Sequence, residues 1–262
     1  MGLFDSHAHY DDARFDEDRD TIIKGLRQKN DVNPLGVSFV VNSASGYDST
    51  EKAIAISDKY DFIYATAGIH PLEADTATQD LEEKLTHYLS QNKVVALGEI
   101  GLDYHYDDAP SKEEQLSVFV RQMALAEKLH KNVIVHDREA HGDCMEVVRQ
   151  FKGRTVGVFH SFSGSFEMAS ELVKLGWYIS FSGTVTFKNA TNVQRSVLAV
   201  PDDRLLIETD APYLAPTPYR GKTNNSSLMF ETAKKIAEIR GTDVETIANL
   251  TLNNGKKFYG ID

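Results

Sequence analysis

His7 and His9 stand two apart in the opening run Phe4-Asp5-Ser6-His7-Ala8-His9. On a strand, that spacing puts both side chains on one face, where two imidazoles can converge on one cation. An isolated His-x-His is as readily a pair of surface histidines, so its meaning depends on the rest of the chain. Further along, acids and histidines emerge from apolar runs. Glu99 lies in Val94-Val95-Ala96-Leu97-Gly98-Glu99-Ile100-Gly101-Leu102-Asp103. Gly98 and Gly101 flank it in an expected turn and permit close backbone approach, and a carboxylate in such surroundings must be paired, hydrogen-bonded or metal-bound. An internal ion pair with an arginine is one outcome, and a bridge between two metals, one oxygen to each, is the other. His136 closes Asn132-Val133-Ile134-Val135-His136, His160 closes Val156-Gly157-Val158-Phe159-His160, and Asp210 closes Leu205-Leu206-Ile207-Glu208-Thr209-Asp210. One histidine at a strand end is usually structural. Together with Glu99 and the first pair, these residues have the composition of a hydrolytic metal centre, in which Asp210 is a metal ligand or the group that orients or deprotonates water.

Such residues need a frame that gathers strand ends. Apolar runs rich in β-branched or aromatic residues at 3–5, 36–41, 62–67, 94–97, 132–135, 155–159, 177–181 and 205–207 alternate with amphipathic stretches at 16–29, 49–59, 79–90, 112–129, 144–151, 166–175, 228–239 and 243–258. Eight strands alternating with helices over about 250 residues predict a TIM-like (β/α)8 barrel, with an open doubly wound sheet as the other arrangement. In a barrel the C-terminal strand ends carry function, and the candidate ligands fall there. No linker, low-complexity tract or short repeat interrupts residues 1–262, which are expected to form one domain.

Composition narrows the function classes. The chain has 262 residues, with 39 acidic against 28 basic side chains and a net charge of −11, which argues against a broad basic grip on duplex DNA. Its one cysteine, Cys144, excludes an internal disulfide and fits a reducing cytoplasm. Met1-Gly2-Leu3-Phe4-Asp5 enters a strand at once, so no signal peptide is expected. No uncharged apolar run approaches membrane-spanning length.

Substrate-binding candidates carry a weaker signal. In Gly68-Ile69-His70-Pro71 the proline restricts His70 to extended geometry, and a phosphate contact is preferred to metal ligation. Ser163, in Ser161-Phe162-Ser163-Gly164-Ser165, precedes a helical stretch and could bind an anion or serve in capping. Arg138, Arg220 and Lys222 supply positive charge. His87, His130 and His141 read as surface or packing residues, and His105 as a residue that either lines the site or supports a ligand from behind.

Taken in order, Asp5-Ser6-His7-Ala8-His9, Gly68-Ile69-His70-Pro71, Gly98-Glu99-Ile100-Gly101-Leu102-Asp103, His160-Ser161-Phe162-Ser163-Gly164, Thr186-Phe187-Lys188-Asn189 and Glu208-Thr209-Asp210-Ala211-Pro212 closely resemble the TatD-related deoxyribonucleases of the metal-dependent hydrolase superfamily. The resemblance covers nearly the whole chain. It implies a two-metal centre in which His7, His9, Glu99 and Asp210 hold one ion and Glu99, His136 and His160 the other. It also implies hydrolysis of DNA phosphodiesters, with 3′-end exonuclease activity, by a metal-activated water. The ions would be Mg, Mn or Zn. The weak basic character favours single-stranded or frayed ends, and no obligate protein partner is expected. Some relatives deacylate mischarged tRNA, so a D-aminoacyl-tRNA deacylase or small-molecule amidohydrolase is the second reading, and a non-catalytic metal-binding protein the third. After Arg220-Gly221-Lys222 many members carry Arg-Asn-Glu-Pro, whereas this chain has Thr223-Asn224-Asn225-Ser226. An acid and a base are thus missing from the substrate loop, while every expected metal ligand is present.

Overall fold

A computed structural model describes residues 2–262. Eight strands form one parallel sheet in sequential order: β1 (Leu3–Ala8), β2 (Val37–Asn42), β3 (Ile63–Ala67), β4 (Val94–Asp103), β5 (Val133–Arg138), β6 (Gly157–Phe159), β7 (Tyr178–Phe181) and β8 (Leu205–Ile207). The helices are α1 (Arg19–Gly25), α2 (Tyr47–Lys59), α3 (Leu81–Leu89), α4 (Lys112–Leu129), α5 (His141–Gln150), α6 (Phe166–Lys174), α7 (Thr191–Ser196), α8 (Met229–Arg240) and α9 (Val244–Tyr259). This is the barrel the alternation predicts. Local chemistry sets several boundaries. Ser111 and Glu114 form a reciprocal capping box at the start of α4, and His130 ends it in the left-handed conformation.

Because β8 is only three residues long, the seam between β8 and β1 depends on the segment that follows β8. The Asp210 amide donates to the His7 carbonyl at 2.9 Å, and the His9 amide to the Ala211 carbonyl at 2.6 Å. Ser6 Oγ donates to the Ile207 carbonyl at 3.0 Å. Lower in the barrel, Phe4, Val41, Ala96, Ile134, Val158, Tyr178 and Leu206 meet in one apolar cluster with Phe258 and Tyr259 of α9. The end of α9 closes this floor: Tyr259 stacks on Phe4 at 5.8 Å, and its hydroxyl donates to the Ser6 carbonyl at 2.8 Å.

Three strands run three or more residues past their predicted ends, β5 among them, which extends to Arg138. The glycines at 98 and 101 read as a turn, yet β4 continues through them to Asp103, and β1 continues to Ala8. Glu99, His7 and His136 therefore lie inside strands rather than at or after their ends. The register of β4 against β5 shifts between Leu97 and Ile100, and that of β1 against β2 shifts between Asp5 and Ala8. Strict alternation from the floor residues Ala96 and Phe4 would turn Glu99 and His7 outward. The irregularities turn them inward, as bulges do near active sites. On β5 and β6 ordinary alternation suffices, since Ile134 and Val158 lie in the floor two residues before His136 and His160.

The predicted 16–29 helix shortens to α1 after a 3-10 turn at Ala13–Phe15 capped by the Asp12 side chain, and α7 was not anticipated. Gly101 permits the close approach of β4 to β5. Its φ is +138°, and a Cβ there would collide with the His136 carbonyl. Gly101→Ala is expected to cost about 1–3 kcal/mol of stability, measured by urea denaturation, with a parallel loss of bound metal.

Candidate metal centre

The strand ends bring the six predicted ligands together. Glu99 is almost fully buried, and its two oxygens face different partners. Oε2 lies 3.2 Å from His7 Nε2 and 3.7 Å from His9 Nε2. Oε1 lies 2.6 Å from His160 Nε2 and 2.8 Å from His136 Nδ1. Asp210 Oδ1 joins the first group, 3.3 Å from His9 Nε2 and 3.7 Å from His7 Nε2. Within each group the ring nitrogens face one another, His7 and His9 at 3.0 Å and His136 and His160 at 3.1 Å. Ligands that share a cation at about 2.1 Å in a tetrahedral arrangement stand roughly 3.4 Å apart. The measured separations bracket that value. No arginine contacts Glu99 among the described residues, so the ion-pair alternative does not hold.

The outer nitrogens of three of these rings fix their tautomers, whereas His7 Nδ1 is buried without a hydrogen-bond partner among the described residues. His9 Nδ1 lies 2.8 Å from the Ser43 carbonyl oxygen, His136 Nε2 3.0 Å from Asp103 Oδ2, and His160 Nδ1 3.2 Å from Glu208 Oε1. A carbonyl or carboxylate oxygen can only accept. Each neutral ring therefore donates outward and presents a lone pair inward, as a metal ligand must. His70 is wired the opposite way. Its Nδ1 accepts the Leu72 amide at 3.1 Å, so the proton of the neutral ring sits on Nε2, which faces Glu99 Oε1 at 3.7 Å. Although His70, Glu99 and His136 are close enough to form a ligand triad, that tautomer makes His70 a hydrogen-bond donor to the cleft. The preference for a substrate contact thus has a geometric basis.

Electrostatics match this donor set. Burial opposes ionisation of Glu99, but His160, His7 and His70 hold its carboxyl well below the usual range. Burial likewise works against a charged His9 ring, yet Asp210 and Glu99 outweigh it and push the ring up to about 9. The bare centre therefore holds protons that a cation would displace. The pattern fits divalent metal binding.

Asp210 sits where the backbone is constrained. Its φ is +58°, a conformation uncommon outside glycine. Asp5 anchors the preceding residue, accepting from Thr209 N at 2.9 Å and Thr209 Oγ1 at 2.6 Å. Asn224 Nδ2 donates to the carbonyls of Thr209 at 2.9 Å and Tyr213 at 2.7 Å. Asn224 is the residue this loop shares with the family run, and two of the residues that depart from that run, Asn225 and Ser226, are also built into the frame. Asn225 caps the 3-10 turn Ser226–Leu228, and Ser226 bonds the Tyr10 hydroxyl through Oγ at 2.8 Å and through its amide at 2.9 Å.

The substrate-binding candidates are more scattered. Arg138 is half-buried two residues beyond His136 and donates to the Tyr106 hydroxyl at 3.0 Å. Arg220 lies 4.2 Å from the Phe187 ring centroid, and Lys222 5.8 Å from that of Tyr219. Both are exposed in the loop after β8, as is Ser163 in the loop before α6. The cap of α6 is Ser165, which accepts from Met168 N. His87 and His130 are exposed, His141 pairs with Asp137 at 2.8 Å, and His105 with Glu139 at 2.6 Å. Cys144 is buried in α5.

A family model described as TatD related DNase matches residues 4–260. The chain belongs to the TatD family. It is 38% identical over 261 residues to the uncharacterized metal-dependent hydrolase YabD of Bacillus subtilis, covering 99% of this chain and 100% of that one. It is 36% identical to the uncharacterized metal-dependent hydrolase YcfH of Escherichia coli, covering 100% of this chain and 97% of that one. The crystal structure of the Escherichia coli TatD homologue YjjV superposes with a TM-score of 0.90 at 29% identity, covering 99% of this chain and 98% of that one. This TatD-family chain is accordingly a metal-dependent hydrolase. No helix among its described residues is long and apolar enough to cross a membrane.

Asp103, Glu208, Asp5 and Asn224 support the site although no spacing in the sequence singles them out. Asp103 and Glu208 carried the same signal as Glu99, an acid inside an apolar run. Asp103→Asn and Glu208→Gln are each expected to weaken metal affinity about 10–100-fold, as measured by competition with a chromogenic chelator, with the fold retained by circular dichroism.

Proposed function

We propose that this chain hydrolyses phosphodiester bonds of DNA, releasing nucleotides from 3′ ends of single-stranded or frayed substrate. Two divalent ions, Mg, Mn or Zn, would be held by His7, His9, Glu99 and Asp210 and by Glu99, His136 and His160. The observation that carries the reading is the division of the Glu99 oxygens between two histidine sets. A bound cation pair supplies Lewis acidity at phosphoryl oxygens and lowers the pKa of water toward neutrality. Around it the protein's own groups divide the remaining work.

Asp210 is the more open of the two carboxylates, with its side chain 14% exposed against 3% for Glu99. It orients the attacking water or takes its proton. His70 donates from Nε2 to a nonbridging phosphate oxygen. Arg138 adds positive charge above His136, and Arg220, Lys222 and Ser163 are assigned to the strand beyond the scissile bond. A glutamate divided between two histidine sets favours this chemistry over the amidohydrolase reading, because many superfamily relatives carry a carboxylated lysine in the corresponding place. The reading includes a cytoplasmic setting, supported by the lone buried thiol of Cys144.

A time course on end-labelled single-stranded DNA, with Mg, Mn and Zn supplied separately, is expected to show stepwise loss of nucleotides from the 3′ end. Chelator is expected to abolish it, and Glu99→Ala to reduce it to the chelated level. Full activity of that variant at saturating metal would reject the bridging role. Turnover of a D-aminoacyl-tRNA or a cyclic amide, with none of DNA, would reassign the site to acyl chemistry.

A further inference from the structure

Tyr213 lies three residues past Asp210, in a turn closed by its amide donating to the Asp210 carbonyl at 2.8 Å. Its ring stands edge-on to His9, with centroids 6.2 Å apart and planes at 80°. Two contacts hold the ring, and a third ties their partners to each other. Its hydroxyl donates to Asp12 Oδ2 at 3.0 Å, the Arg14 guanidinium lies 3.9 Å from its centroid, and Asp12 grips Arg14 through Nε and Nη2 at 3.1 and 3.0 Å. The residue is nevertheless 45% exposed.

Fixing an exposed aromatic so firmly contributes little to a core. It is what a preformed binding surface requires, since a rigid ring loses little entropy on contact. Among the described residues the exposed large apolar side chains are Val32, Leu116, Leu198, Tyr106 and Tyr213. The two aromatic ones both sit beyond strands that supply ligands, and each has an arginine against its ring, Arg14 at Tyr213 and Arg138 at Tyr106. Aromatic faces beside a catalytic cleft take unstacked nucleobases in a sequence-tolerant way.

Resting on the phosphodiesterase reading, we infer that Tyr213 is a stacking platform for a nucleobase next to the scissile phosphate. It selects unpaired, base-bearing ends over duplex and over small substrates without a base. The Asp12–Arg14 pair sets the plane of the ring.

The test compares wild type, Y213A and Y213F on an end-labelled single strand and on the same strand with its last two 3′ residues abasic. One stacked base is worth about 1–3 kcal/mol, or roughly 5- to 150-fold. Wild type is expected to prefer the base-bearing strand by a factor in that range, expressed mainly in KM. Y213A shrinks the preference toward unity and Y213F keeps it. Equal losses on both strands in Y213A would mean that the ring only supports the Asp210 turn, and would overturn the platform, as would a wild type indifferent to the base. Cleavage of neither strand by wild type would overturn the phosphodiesterase reading, and the platform with it.

Discussion

A single buried carboxylate with its two oxygens pointing at two sets of histidines is the constraint on which the rest depends. Glu99 is removed from water, so its charge needs compensation at both oxygens. Four imidazoles close around it, each needing its own support. The acceptors behind three of them, the Ser43 carbonyl, Asp103 and Glu208, turn a cluster of titratable rings into an array of inward lone pairs. His70, held by a backbone amide on its other side, is the one ring wired to donate. Chemistry at this centre follows from which nitrogen carries the proton, and the surrounding backbone decides that.

The barrel serves this arrangement by departing from regularity in two strands. Regular pleating carries His136 and His160 inward from the floor layer without adjustment. Glu99 and His7 reach the same space only because β4 and β1 slip in register. Glycine at 101 accepts a backbone geometry closed to other residues, and Asp210 occupies the left-handed region because Asp5 and Asn224 hold its neighbours. Regular strands form the floor, and irregular ones aim the ligands.

Much of this was legible in the residues themselves. Apolar runs separated by amphipathic stretches gave eight strands and the barrel, and acids or histidines at the ends of those runs gave the six candidate ligands that the structure brings together. Strand length was not legible, because Gly98 and Gly101 read as turn residues although both serve close packing inside β4. The supporting acids Asp103 and Glu208 stood in plain view beside the ligands. Their role depends on which ring nitrogen they face, a relation that only three-dimensional placement reveals. The loop Thr223-Asn224-Asn225-Ser226 read as a loss against the family pattern. Its Asn224 and Ser226 prove to be buried ties to the turn carrying Asp210 and to Tyr10.

The first ligand set draws His7 from the opening strand, His9 from just past its end and Asp210 from just beyond the final one, so it spans the place where the sheet meets itself. With β8 so short, few backbone bonds fasten that junction. An ion lodged there would act as a clasp on a hoop, and its binding free energy would add to the cohesion of the whole circle. The catalytic inventory and the mechanical integrity of the wall are thereby the same atoms, so depletion of metal would loosen the vessel as well as silence it.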